Sequence, residues 1–473
     1  MIRQDALWAK TAAAQAEAVR SGEISAAELV ESHLDRIAEV NPRVNAVTQL
    51  MAERAREAAE LTDRQRAAGQ ALGPLAGVPF TVKESTAVEG VPTTLGLPRF
   101  RDLVAAADAP PVARLRAAGA IPIGHSNMPT LVLAGMHTRS ELFGDTVNPW
   151  DPSRTPGGTS GGDGVAVATG MAALGLGNDS GGSVRIPAAF CGVAALKPTT
   201  GRFPSDHRVL GADDPGPASQ LFVTDGPLAR TVADLRLACE ALAGTDPRDP
   251  RAVPVPLYGE PLRGPVKVAV VTDPGGQGVH PDVVRAIAAA ADALRDAGYD
   301  VREVADVPQL ADALEAYGRM TVTEFAPTWP VVRTLLGEGG DRYIQMAMDK
   351  TPPVDAAGFT KLMGTWLGIR RSWAEFLDEH PLLLGPVFTE PPVEPGLESR
   401  DEAGRERVAR ALRLCAVTSF VGVPAVAVPT GVSDGLPSGV QVIGRAFRED
   451  LCLAAAEAVE SRLGVFTPLD PRP

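Results

Sequence analysis

Two short runs of this sequence could do chemistry together. Ser183 follows two glycines in Ser180-Gly181-Gly182-Ser183, and Lys83 closes the apolar run Gly77-Val-Pro-Phe-Thr-Val-Lys83. A serine hydroxyl is a weak nucleophile until a neighbouring base takes its proton. Successive backbone N–H groups around glycines can form a concave nest for an oxyanion, and Gly181 and Gly182 would supply one beside Ser183. A lysine on a buried strand loses the water that stabilises its ammonium, so it can be neutral near pH 7 and serve as the base. Lys83 is one of only six lysines, against 39 arginines. A second Gly-rich segment, Gly157-Gly-Thr159-Ser160-Gly-Gly162, adds two more hydroxyls. Each feature also has an ordinary reading. Lys83 could end its strand in water, Ser183 could cap the helix that follows, and Thr159 and Ser160 could satisfy turn backbone. Lys197, in Ala-Leu-Lys-Pro-Thr, is flanked by apolar residues too and competes as base.

Other chemistries fit less well. Gly158-Thr-Ser-Gly-Gly162 matches the G-x-S-x-G nucleophile elbow, but an elbow needs a strand just before its serine. Pro149, Pro152 and Pro156 occupy that approach, and a central strand tolerates none of them. Gly175, Gly177 and Gly181 have the wrong spacing for a dinucleotide fingerprint, and no Walker lysine follows a glycine. The six His and four Cys are scattered without C-x-x-C or H-E-x-x-H, so no metal and no cofactor is expected. With 45 basic against 58 acidic residues the net charge is −13, which gives no electrostatic footprint for nucleic acid. Arg3, Asp5 and Lys10 interrupt any N-terminal signal region. The uncharged runs 117–138 and 414–433 are each broken by two prolines, so neither reads as a membrane span. A soluble, cytoplasmic protein is expected, as a monomer or homodimer.

The elements that must position these groups are legible in outline. Ser25-Ala-Ala-Glu28 has capping-box spacing before a helix with Val30, Leu34 and Ile37 on one stripe, and Asn41-Pro42 should end it. A second helix covers about 50–69. Short apolar runs bounded by Gly and Pro read as buried strands: 77–83, 120–124, 266–271, 381–385 and 425–429, with 439–443 alternating like one. The strand at 266–271, a helix over about 281–297 and a strand at 300–304 form a β-α-β unit, hence parallel strands. Helical text fills 308 to about 378. Six prolines between 246 and 265 mark a crossover. The expectation is one α/β domain over 1–473, with a large mixed, mostly parallel sheet covered by helices on both faces.

Read together, the segments resemble the signature of the amidase signature family. The resemblance rests on Gly157-Gly-Thr-Ser-Gly-Gly162, Leu176-Gly-Asn-Asp-Ser-Gly-Gly-Ser-Val-Arg-Ile-Pro-Ala-Ala-Phe-Cys-Gly-Val193 and Leu196-Lys-Pro-Thr199. The flanks agree: Gly77 to Glu84, Glu141-Leu-Phe-Gly144, Asn148-Pro-Trp-Asp-Pro152, and Gly422 to Gly444 resemble the family's other strands and loops. It runs from the first helix to about residue 465.

The resemblance implies a Ser–Ser–Lys triad, with Ser183 as the acylated nucleophile and Lys83 as the lysine. The bridging serine, carried on a cis peptide, falls by register on Thr159, with Ser160 the neighbouring alternative. Threonine keeps the hydroxyl, so proton transfer remains possible. Ser180, Gly181 and Gly182 would form the oxyanion hole, and Asp179 and Arg185 would hold the loop. His125 and Thr130 stand where many relatives carry Lys and Glu. The implied activity is hydrolysis of small or aryl/alkyl amides, with anilides, esters or carbamates (urethanes) as side substrates. The apolar segments Phe325–Pro330, Met346–Met348 and Leu362–Trp366, with Trp373, could face such a substrate or be ordinary core. The alternative is the glutamine-hydrolysing component of a tRNA-dependent amidotransferase. A third reading is a catalytically silent binding protein.

Overall fold

The computed structural model describes residues 6–133, 135–208 and 213–472. The short apolar runs become strands: β1 Val47–Leu50, β2 Pro79–Lys83, β3 Ile121–Ser126, β4 Arg139–Ser140, β5 Gly144–Asp145, β6 Leu174–Asp179, β7 Ala194–Lys197, β8 Thr224–Ala229, β9 Lys267–Val270, β10 Asp300–Glu303, β11 Leu382–Pro386, β12 Ala425–Ser433 and β13 Leu436–Gly444. Strands β4 and β5 pair with each other. The other eleven form one sheet in the order β1-β3-β2-β6-β8-β7-β12-β13-β11-β9-β10. Strands that follow the Pro-rich stretch near 246–265 therefore lie in the same sheet as those before it.

The sheet is mixed, as expected, but it is not mostly parallel. Of its ten neighbouring pairs, four are parallel: β3–β2, β2–β6, β11–β9 and β9–β10. Two features account for the difference. The crossover from β6 through the helix Arg185–Cys191 leads to β7, but β8 is inserted between those strands and runs against both. Strands β12 and β13 form a hairpin whose two turn residues, Asp434 and Gly435, have φ 49° and 79°. Positive φ at both positions matches the twist of a two-residue hairpin and holds the strands antiparallel. The unit β9, helix Pro281–Asp296, β10 is parallel, as its sequence indicates.

Helices cover both faces. On one, Phe80, Val82, Leu174, Leu176, Val440 and Val442 pack under the helices Val232–Leu242, Pro281–Asp296 and Glu449–Leu463. On the other, Ile123, Ala195, Leu228 and Ala427 pack under Ala26–Val44, Gly161–Ala168 and Arg185–Cys191. Successive side chains of a strand point to opposite faces, so Phe80 and Val82 fix the facing of Thr81 and Lys83. The capping box at Ser25 and Glu28 is present, but the helix runs through Pro42 to Val44 and stops at Asn45 with φ 49°. Pro42 lies in the last turn, where few carbonyls lose a partner by its missing N–H. No helix among the described residues is long and apolar enough to cross a membrane.

Candidate functional site

Strand β2 delivers Lys83 to the side of the sheet covered by the helix Gly161–Ala168. Its Nζ is fully buried and donates to Thr159 Oγ1 at 2.5 Å and to Asn178 Oδ1 at 2.7 Å. Asn178 in turn donates from Nδ2 to Ser85 Oγ at 3.1 Å. Burial lowers the Lys83 pKa to about 7, while the carboxylates of Asp163, Asp179 and Asp225 pull it back up. The ammonium form loses its hydration, and both oxygens that Nζ contacts, those of Thr159 and Asn178, are uncharged. A neutral amine is accessible near pH 7.

The hydroxyl segment meets Lys83 from the next loop. The peptide between Gly158 and Thr159 is cis. Thr138 Oγ1 donates to the Gly157 carbonyl at 2.8 Å and pins this segment from outside. Ser160, completely buried, turns its hydroxyl to the Asn178 carbonyl at 3.3 Å. Thr159, not Ser160, therefore faces Lys83. The close approach of the loop to β6 requires Gly177, where a Cβ would stand 2.5 Å from Ser160 Oγ.

Ser183 sits just past the end of β6. The Ser160 N–H donates to the Ser183 carbonyl at 3.0 Å, which ties the hydroxyl loop to Ser183. Asp179 organises the turn between them: Oδ1 accepts the Gly182 N–H at 2.7 Å and Oδ2 accepts the Val184 N–H at 3.2 Å. Arg185 pairs with this carboxylate at 2.9 Å through both Nε and one terminal nitrogen, and both residues are fully buried. Burial by itself would raise the Asp179 pKa. The Arg185 charge and its hydrogen bonds outweigh that and hold Asp179 below the usual carboxylate range. Arg185 also reaches Gln441 Oε1 and Ser419 Oγ, both at 2.8 Å.

Lys83, Thr159, Ser160, Asp179, Arg185 and Ser180 to Ser183 are thus brought to one end of β2 and β6. One expected donor is already occupied. The Gly182 N–H is committed to Asp179, so it is not free for an oxyanion; Ser180, Gly181 and Ser183 have no acceptor assigned among the described residues. Motif position alone cannot tell a free N–H from one that folds back onto the preceding carboxylate. Lys197 feels the charges of Arg185 and Asp179 but makes no hydrogen bond to Thr159 or Ser183 among the described residues: it is buried, its Nζ donates to the Pro198 carbonyl at 2.8 Å, and burial lowers its pKa to about 7. His125 is buried beside Gln49, 3.4 Å from its Nε2, and burial lowers its pKa to about 4. Thr130 Oγ1 accepts the Glu141 N–H at 2.9 Å. Trp373 is fully buried core, its indole donating to the Pro308 carbonyl at 2.9 Å.

Sequence reasoning missed three participants. Asn178 stands inside the quoted motif, yet nothing there marks it as a lysine acceptor. Asp163 is buried in the small-residue helix Gly161–Ala168 and accepts from Thr81 Oγ1 at 2.7 Å, on the Lys83 side of β2. Burial raises its pKa. Its signal was a lone carboxylate among glycines, valines and alanines. Tyr317, on the helix Leu310–Phe325, donates to the Ser180 carbonyl at 3.1 Å and carries no sequence signal at all.

The chain is similar to known proteins over nearly its whole length. A family model described as Amidase matches residues 28–453. The indoleacetamide hydrolase of Bradyrhizobium diazoefficiens is 40% identical over 465 residues, covering 97% of this chain and 88% of that protein. A component of the glutamyl-tRNA(Gln) amidotransferase from Salinispora arenicola is 35% identical, covering 98% of this chain and 99% of its own. Among solved structures, a 6-aminohexanoate cyclic dimer hydrolase superimposes with TM-score 0.84 at 29% identity, covering 98% of this chain and 99% of its own. A bacterial aryl acylamidase of the amidase signature family gives TM-score 0.82 at 29% identity, covering 96% of each chain.

Proposed function

The chain belongs to the amidase signature family and is an amide-hydrolysing enzyme, and from that premise we propose that it cleaves small amides with an aryl or alkyl acyl part through an acyl-enzyme on Ser183. The observation that carries this reading is the contact of the buried Lys83 amine with the Thr159 hydroxyl, in a loop bonded to Ser183. In the proposed cycle the Ser183 oxygen adds to the amide carbonyl. Its proton passes to Thr159, whose own proton goes to Lys83. The carbonyl π pair moves onto oxygen and is held by free backbone N–H groups of the 180–183 turn, worth roughly 3–4 kcal/mol per donor in comparable sites. When the pair returns, the C–N bond breaks and the leaving amine takes a proton from Thr159, which Lys83 replenishes. Water then adds to the ester by the same relay, releasing the acid and restoring Ser183. No cofactor enters this scheme.

The finer assignment to a primary arylacetamide is favoured by the similarity to an indoleacetamide hydrolase. Activity on anilides, esters or carbamates would arise from the same acyl-enzyme. A second reading, the glutaminase component of a tRNA-dependent amidotransferase, is favoured by the 35% identity to the Salinispora protein. One panel separates these readings: primary arylacetamides, anilides, nitrophenyl esters, carbamates and free glutamine, each with wild type and Ser183→Ala. Arylacetamide turnover that disappears in the folded Ser183→Ala variant is the expected result. Selective glutamine turnover would support the amidotransferase reading, and undiminished turnover in Ser183→Ala would remove the nucleophile assignment.

A further inference from the structure

The turn from Asp179 to Ser183 is held from two sides. Asp179 takes the Gly182 N–H, which fixes the peptide after Gly181. The peptide before Gly181 is held by a residue from a distant element: Tyr317 donates its hydroxyl to the Ser180 carbonyl at 3.1 Å. In a planar trans peptide the carbonyl and the following N–H point in opposite directions. A hydroxyl that captures the Ser180 carbonyl on one side therefore directs the Gly181 N–H to the other.

We infer that Tyr317 is a positioning residue for amide hydrolysis, holding the Ser180–Gly181 peptide so that the Gly181 N–H faces the developing oxyanion. The inference rests on the Ser183 acyl-enzyme proposed above. Gly181 is shaped for this contact, since a Cβ there would stand 2.8 Å from the Tyr317 hydroxyl. With glycines at 181 and 182, the backbone has no side-chain restraint of its own and rotates freely unless something holds it. The ring of Tyr317 is itself fixed. It packs against Phe222 at 5.4 Å between centroids, and Phe222 packs against Phe420 at the same distance; both phenylalanines are buried. Burial raises the phenol pKa, so the hydroxyl stays protonated and remains a donor across the working range.

Tyr317→Phe keeps the ring and its packing and deletes one hydrogen bond. A donor aimed only in the transition state contributes to kcat rather than to substrate affinity. Removing an oxyanion donor outright costs about 10²–10³ in kcat, so loosening one by releasing its peptide is expected to cost about tenfold to a hundredfold. KM for phenylacetamide should stay within about twofold. The decisive readout uses benzyl trifluoromethyl ketone, to which Ser183 adds to give a tetrahedral oxyanion, beside 2-phenylethanol, which has neither carbonyl nor carboxylate. Tyr317→Phe should weaken the ketone by the same factor as kcat/KM and leave 2-phenylethanol unchanged. Equal loss of both ligands would make Tyr317 a substrate contact and overturn the inference, as would an unchanged ketone affinity. Fluorophosphonate labelling of wild type and Ser183→Ala runs in parallel. Absence of label at Ser183 in wild type counts against the acyl-enzyme itself, whereas normal labelling with unchanged ketone affinity counts against Tyr317 alone.

Discussion

Lys83 Nζ lies 2.5 Å from Thr159 Oγ1, and the two reach each other from a strand and a loop that are 76 residues apart in sequence. In the proposed cycle this contact gives the lysine a hydroxyl to deprotonate. It also distinguishes Thr159 from Ser160, whose hydroxyl is turned to the Asn178 carbonyl.

The first prediction concerns that distinction. Thr159→Ala should lower kcat by about 10²–10⁴, the usual range for losing a positioned proton-transfer group. Thr159→Ser keeps the hydroxyl and should retain most of the activity. Ser160→Ala should cost less than about tenfold by the same measure. Steady-state kinetics on phenylacetamide compare the three, and a larger loss for Ser160→Ala would reassign the relay.

The second concerns pH. In the proposed cycle Lys83 acts when neutral, and burial lowers its pKa to about 7. kcat/KM should therefore rise with pH, with a midpoint near 7, and reach a plateau above it. The carboxylate of Asp163 favours the ammonium, so its removal favours the amine. Asp163→Asn should move the midpoint to lower pH, with Asp179 and Asp225 still pulling upward. An upward move in the pH profile would show that Asp163 does not act on Lys83 in this way.

The third concerns the frame. Arg185→Met leaves Asp179 buried without its cation, and breaking a buried pair from one side costs about 3–5 kcal/mol. Urea unfolding should register that loss. The same variant should lose kcat, because the Gly182 N–H is anchored on Asp179. A drop below about 1 kcal/mol would mean that the carboxyl finds a proton or water instead.

How far this was legible in the sequence depends on the distance over which each feature is encoded. Lys83, Thr159, Ser183, Asp179 and Arg185 lie in compact motifs whose glycines and hydroxyls announce special backbone, and the structure gathers them. The β9–helix–β10 unit is likewise local and came out parallel. The insertion of β8 between β6 and β7 is not local: the sequence of each strand is apolar on either arrangement, and only packing of the whole sheet decides its neighbours. Pro42 stayed helical because a proline in the last turn breaks little. The Gly182 N–H and the Tyr317 hydroxyl were hidden for another reason. One depends on which way a carboxylate folds back, and the other on a helix that arrives after more than a hundred intervening residues.

The Asp179–Arg185 pair also joins distant parts of the sequence. Arg185 bonds Ser419 and Gln441 of β13, 234 and 256 residues further along. One guanidinium thus fastens the 179–183 turn to a hairpin strand and to the helix Arg413–Val421, so a change at either partner should be felt at Ser183 although neither lies in its motif.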